Sequence, residues 1–439
     1  MSLQFITGNS GNGKTKYLFN RIVKEAKANP RDNYLVIVPE QFTMQTQRQL
    51  VDLSENKAIM NIDVLSFKRL AYRVFDELGI TNLTVLEETG KNLVLRKLAA
   101  QEADKLGVIG RNLNRIGYIS EVKSLLSELV QYNISPEELG RYIASGRLSD
   151  TLSDKLKDVL VLYEAFEKFM QDKYITAEEI LNVLSNVAEE SAILRNSVIA
   201  FDEFTGFTPI QNQLIKKLFV ISKKIYVTLT IDCREDIFKS RGMQELFDMP
   251  KRTVKSLTEM AAFYGIEVEE PIILDKNYRL AENEELSFME QQLFRKRRCS
   301  FKKVPKHIHI DCLRDPKQEL TKIARRINEL VRNENLRYRD IAIVTGDVNI
   351  YAGYVREIFD KYNIPYFIDA TQEILFHPFI EFIRSIPDIA AQNFSADAVF
   401  RFLRCGFSEL LDSEIDVLEN YVLACGVRGK SAWDKKWVR

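Results

Sequence analysis

The chain has 439 residues, 46% apolar and 28% charged, which is enough for a sizeable core and more than one domain. Lys plus Arg and Asp plus Glu both count 62, so the net charge is zero and any contact with nucleic acid must come from local clusters. No apolar run approaches the roughly 20 residues of a membrane helix, and no charged segment followed by a long apolar one opens the chain; no membrane partner is expected, and the cytoplasm is the expected location.

In chain order, Leu3 to Thr7 reads as a buried strand, Lys14 to Ala28 as a helix, and Tyr34 to Val38 as a second buried strand stopped by Pro39. Strand, glycine loop, helix, strand is a βαβ unit and predicts a parallel sheet. From about Thr84 to Glu190 the pattern is almost wholly helical, as in "YISEVKSLLSELVQY". The sheet resumes at "SVIAFDEF" and "KIYVTLTID". Residues 1–80 plus 190–290 are therefore expected to form one α/β domain, split by a helical insertion at 81–189.

A basic linker is expected over 291–306, around "FRKRRCSFKKVPK". Beyond it "HIHIDCL", "DIAIVTG" and "IPYFID" read as strands, with a helix between the first two, giving an incomplete second α/β domain over 307–390. Residues 391–439 read as the start of a truncated helical segment. The opening "MSL" resembles an initiator plus a cloning remnant, and "SAWDKKWVR" ends without a terminating signal, so the chain is expected to be a piece of something larger. Cys233, Cys299, Cys312, Cys405 and Cys425 show no C-x-x-C pair and are expected to be reduced thiols.

Gly8-Asn9-Ser10-Gly11-Asn12-Gly13-Lys14-Thr15 matches G-x-x-x-x-G-K-[ST] in full, directly after a strand and opening a helix. In such a loop the backbone N–H groups and the helix N-terminus surround a phosphate, the lysine reaches the β- and γ-phosphates, and the threonine hydroxyl can ligand Mg²⁺. Asp202 and Glu203 end an apolar strand of the resumed sheet, where the first could hold Mg²⁺ through water and the second polarise an attacking water. The loop alone also supports a stand-alone P-loop kinase or a nucleotide-dependent structural switch. The helical insertion is more than a small kinase needs.

"FDEFTGFTPIQ" resembles the D-E-x-Q segment of UvrD-like superfamily 1 helicases, followed by a helix carrying Gln211. "VPEQFTMQTQRQL", "VLSFKRLAYRVF", "LTIDCREDIFKSRG" and "LDKNYRLAENEELSFMEQQLF" resemble further helicase segments in the same order. With "VPEQ" and an intact loop at residue 8, the chain resembles the N-terminal part of the AddB (RexB) family, the second subunits of bacterial AddAB helicase-nucleases. The resemblance implies an α/β P-loop, RecA-like first domain with a helical insertion, followed by part of a second RecA-like domain.

It further implies ATP and Mg²⁺ as cofactors, with Gly8 to Thr15 on the nucleotide, Thr15 and Asp202 on the metal, Glu203 as general base and Arg279 near the γ-phosphate. Heterodimerisation with an AddA-type helicase/nuclease subunit, action on double- and single-stranded DNA in recombinational break repair, and 5'-3' exodeoxyribonuclease activity of the whole protein are implied as well. An iron-sulfur cluster is expected only downstream of this chain. Thr205 stands where a motor has Gln, Glu235 where the γ-phosphate sensor has Gln, Phe238 alone remains of an aromatic stacking set, and no segment precedes the first strand to clasp adenine. These departures imply nucleotide binding with slow or absent hydrolysis, in a subunit that reads single-stranded DNA for a regulatory Chi sequence. For the basic run, phosphate contact and a solvated linker are both open readings.

Overall fold

The computed structural model describes residues 1–437 except 82–83, 109, 111–116, 146–147, 171–173, 296–298, 370–373 and 375–376. The chain divides into two compact units, Met1–Ile308 and His309–Arg439.

In the first unit, strand β1 (Ser2–Gly8) leads through the glycine loop into helix α1 (Lys14–Ala28), then β2 (Tyr34–Ile37), α2 (Thr43–Leu53), β3 (Ile62–Leu65) and α3 (Phe67–Leu78). A helical segment follows, entered through β4 (Val85–Leu86) and carrying α4 (Glu88–Gln101), α5 (Tyr118–Gln131), α6 (Pro136–Ala144) and α7 (Asp150–Met170). It is left through β5 (Ile175–Thr176), which pairs parallel with β4 and ties the two ends of the excursion together. Leu95, Leu126, Leu162 and Phe166 build a core private to this segment. Helix α8 (Ile180–Val187), although inside the 81–189 stretch, buries Ile180 and Leu184 in the same cluster as Leu3 and Phe5 of the sheet.

The sheet resumes with β6 (Val198–Phe201), α9 (Pro209–Ile221), β7 (Lys224–Thr230), α10 (Asp248–Phe263), β8 (Glu267–Val268) and β9 (Ile272–Leu274), and the unit continues with α11 (Glu284–Gln292). Strand order is β3-β2-β6-β7-β1-β8, β9 lies beside the end of β1, and every pairing is parallel. Alternation along the strands feeds two layers. Leu3, Phe5, Leu35 and Ile37 pack toward α3, α8, α9 and α10, whereas Ile6, Tyr34 and Val36 pack toward α1 and α2. Covered on both faces, β2 and β6 are buried throughout, as parallel strands are.

The second unit contains α12 (Pro316–Asn333), α13 (Val348–Lys361), α14 (Pro378–Ala391), α15 (Ala396–Leu403), α16 (Asp412–Ala424) and α17 (Lys430–Trp433). Its small cores join α12 to α13 through Leu320, Ile327, Ile358 and Phe359, and α15 to α16 through Phe400 and Ile415. The strands expected in 307–313, 340–346 and 364–369 are a correction: among the described residues these segments form no strand. Ile310, Val344 and Phe367 stand 93%, 93% and 88% exposed, because an extended segment holds as a strand only when a neighbour pairs its N–H and C=O groups.

Candidate functional site

The glycine loop runs from the carboxyl end of β1, a strand paired on both sides, to the first turn of α1. Gly11 and Gly13 have φ of 89° and 80°, left-handed backbone that suits glycine. A Cβ at Gly11 would lie 2.7 Å from Asn277 Oδ1 and 2.9 Å from Arg279 Cβ, so the loop also needs glycine for close approach. Residues 277–279 dock onto it: Asn277 Nδ2 donates to Ser10 O (3.0 Å) and the Tyr278 N–H to Gly11 O (3.0 Å).

Above the loop opens a cleft of about 710 Å³. It brings together Lys14, Thr15, Asp202, Glu203 and Arg279, the five side chains picked out by sequence. Lys14 Nζ folds back to donate to Gly8 O (3.1 Å) and Asn9 O (3.0 Å). Burial lowers its pKa, the nearby Glu203 and Asp202 work against that shift, and Arg279 adds to it.

Asp202 is 1% exposed at the end of β6. Burial pushes its carboxyl above the ordinary carboxylate value, a hydrogen bond from the Thr228 hydroxyl opposes this, and the neighbouring Glu203 charge reinforces it. Its Oδ2 is buried without a hydrogen-bond partner, an orphan acceptor on a residue that lines the loop cleft. Glu203 takes φ of 63°, rare for a glutamate, and its Oε1 accepts from Thr15 Oγ1 (3.3 Å). An orphan carboxylate oxygen, a second carboxylate and a threonine hydroxyl around one cleft are the oxygen donors that suit Mg²⁺. Among the described residues no group of three or more His, Cys, Asp and Glu is placed to hold a metal.

The resemblance aligns Glu235 with the glutamine that senses the γ-phosphate, a place an acidic side chain can share with phosphate only if protonated or turned away. It pairs with Lys251 (2.6 Å), a buried lysine that also contacts Glu245 (3.2 Å), and it does not line the cleft. Thr205 does line the cleft, with its carbonyl accepting from Thr253 Oγ1 (3.2 Å). Gln211 serves locally: with Thr208 it forms a reciprocal cap at the start of α9, behind Pro209. In the basic run, Arg295 is no solvated residue, since its Nε donates to the buried Asp232 (2.9 Å). Lys296, Arg297 and Arg298 lie outside the described residues.

Sequence reasoning missed Thr228 and Tyr278. Thr228 and Thr230 alternate in a strand whose other central positions are apolar, a pattern that marks polar side chains turned toward a site. Tyr278, 65% exposed beside Gly13, could have been read from its place next to Arg279.

The fold and cleft define an α/β protein with a glycine loop at the carboxyl end of a central parallel strand. The chain belongs to the family described as ADDB, N-terminal, whose model matches residues 5–290. It is similar to proteins named as the B subunit of an ATP-dependent helicase/deoxyribonuclease: 39% identical to that of Lachnoclostridium phytofermentans, and 34% to those of Clostridium tetani and Clostridium acetobutylicum. Each comparison covers 100% of this chain and 39%, 38% and 38% of the relative, so the chain spans about two fifths of the relatives' length. Among the described residues no helix is long and apolar enough to cross a membrane.

Proposed function

We propose that the chain is the ATP-binding, RecA-like part of the second subunit of a heterodimeric ATP-dependent helicase/deoxyribonuclease that processes DNA double-strand breaks for homologous recombination. Its partners in this reading are an AddA-type helicase/nuclease subunit and double- and single-stranded DNA, in the cytoplasm. The protein reads single-stranded DNA for a regulatory sequence and does not itself drive translocation. The observation that carries the nucleotide site is the glycine loop set against the orphan Oδ2 of buried Asp202.

Bound triphosphate draws Lys14 away from Gly8 O and Asn9 O onto the phosphates, which return the negative surroundings that its burial lacks. Thr15 and Asp202 would hold Mg²⁺, which supplies neutralisation of phosphate charge when bound. Glu203 is the candidate base, and the Arg279 guanidinium lies at the cleft where the terminal phosphate would sit. The ion pair of Glu235 with Lys251 keeps that acidic group off the phosphates, so Glu235 neither repels nor senses the γ-phosphate.

Filter binding and phosphate release on the 439-residue chain and its Lys14→Ala variant test this reading. Tight nucleotide binding with little turnover, lost in the variant, is the expected outcome. Rapid DNA-stimulated hydrolysis would overturn the non-motor assignment, and absence of binding would overturn the site.

A further inference from the structure

Helix α11 is unusual among the described α-helices of the first unit: none of its nine residues is fully buried, and Leu286 and Phe288 are only half-buried. Polar contacts hold it to the sheet domain at its C-terminal end. Glu290 Oε1 accepts from Asn9 Nδ2 of the glycine loop (2.8 Å), and the Gln291 carbonyl accepts from Arg234 Nη2 (3.1 Å). Just beyond the helix, Arg295 reaches Asp232 (2.9 Å) and lies 3.9 Å from Glu290. Burial alone would raise the Asp232 carboxyl, yet Arg234 and Arg295 hold it well below the ordinary carboxylate value, so this anchor is ionic at neutral pH.

The other end and flank of α11 carry the segment 299–308. Glu284 pairs with Lys303 (2.6 Å), the Glu285 carboxylate accepts from the N–H groups of Lys306 (2.7 Å) and His307 (2.8 Å), and Phe288 packs on Phe301 with centroids 5.3 Å apart. One short helix therefore bridges the glycine loop and the residues by which the chain leaves the first unit.

The loop end of this bridge is wired to the lysine that would meet phosphate. Lys14 Nζ donates to the Asn9 carbonyl, while the Asn9 side chain donates to Glu290 and accepts from the Cys233 N–H (2.9 Å). A phosphate that draws Lys14 off the Asn9 carbonyl perturbs the loop residue whose side chain grips α11. A helix with no fully buried residue, joined to the glycine loop by polar contacts, shifts without breaking a core.

We infer that α11 is a positioning lever: occupancy of the glycine loop by a nucleoside triphosphate is passed through Asn9 and Glu290 to residues 299–308, changing how firmly that segment is held. This rests on the loop taking a triphosphate, as proposed above. Coupling of this kind is reciprocal, so loosening the lever must also alter nucleotide affinity to the extent of the coupling.

The test is hydrogen exchange of residues 299–308 in the 439-residue chain, with and without a non-hydrolysable ATP analogue and Mg²⁺, beside direct measurement of analogue binding. The expected result is a change in exchange of about threefold or more on binding. Glu290→Ala, which removes the acceptor, should bind the analogue within roughly tenfold of wild type yet lose the exchange response. Glu290→Gln, which keeps an acceptor for Asn9, should retain it. Phe301→Ala, outside the residues that line the cleft, should raise exchange of 299–308 in both states and alter affinity by no more than the coupling, about threefold. Analogue binding with unchanged exchange in the wild type, or an undiminished response in Glu290→Ala, would overturn the lever and leave the nucleotide site standing. No binding to the wild type would overturn the site reading, and the lever with it.

Discussion

The strands of the first unit and the three extended segments beyond residue 306 share one sequence signature and meet opposite fates. "YLVI" of β2 and "VIAF" of β6 are buried throughout between β-neighbours and two helical layers. "HIHIDCL", "DIAIVTG" and "IPYFID" carry similar apolar runs, yet among the described residues they pair with no strand and leave Ile310, Val344 and Phe367 to solvent. A short apolar run thus encodes a readiness to be covered. What covers it, and whether its backbone groups find partners, is decided by segments far away in the chain.

Removing apolar volume from each class puts this contrast at greatest risk. Phe5→Ala, at a fully buried position of β1, should cost roughly 3–5 kcal/mol by urea denaturation, the loss typical of emptying a packed aromatic site. The site riding on the ends of those strands should respond next. Lys14→Ala should weaken nucleotide binding by about a hundredfold, close to 3 kcal/mol for charge-assisted hydrogen bonds, with the midpoint of thermal unfolding little changed in the absence of nucleotide.

Asp202→Asn should stabilise the chain by roughly 1 kcal/mol at neutral pH while removing Mg²⁺-dependent nucleotide binding, as functional sites trade stability for activity. The sign follows from the raised carboxyl pKa of the folded state. The folded protein holds this proton more tightly than the unfolded chain, so wild-type stability falls as pH rises through the ordinary carboxylate range. The advantage of the Asn variant, read as a difference in Tm, should therefore shrink as pH drops toward about 4. Smallest of all, Val344→Ala should change stability by less than about 0.5 kcal/mol, since its side chain is already in water. A cost near that of Phe5→Ala would show that the segment is covered in solution and would dissolve the contrast.

Much of the first unit is legible in the sequence because its information is local. The glycine loop between an apolar strand and a helix, the helical excursion, and a strand ending in Asp202-Glu203 each carry a pattern within a short stretch of chain, and the structure assembles loop and carboxylates around one cleft. Thr228 is half legible, as a polar position in a buried strand. Glu235 is legible only by its place in "LTIDCREDIF", whereas its partner Lys251 sits on α10 and holds the carboxylate away from the cleft. Arg295 is half legible in the same way, because charge density in a run does not show that one member pairs with a buried aspartate.

The parallel α/β character of the first unit, the place of the glycine loop after its first strand, and the position of Asp202 and Glu203 at a strand end all follow from the residues in their order. Hydrophobic period, glycine spacing and strand-end position carry them, and these are short-range properties of the chain. It took the packed fold to assign α8 to the sheet's core, to withdraw Glu235 from the cleft, and to join Asn9 to Glu290 across 281 residues of sequence. Contacts of that separation arise from how the layers pack, and no local pattern records which distant side chain will fill a given hydrogen bond.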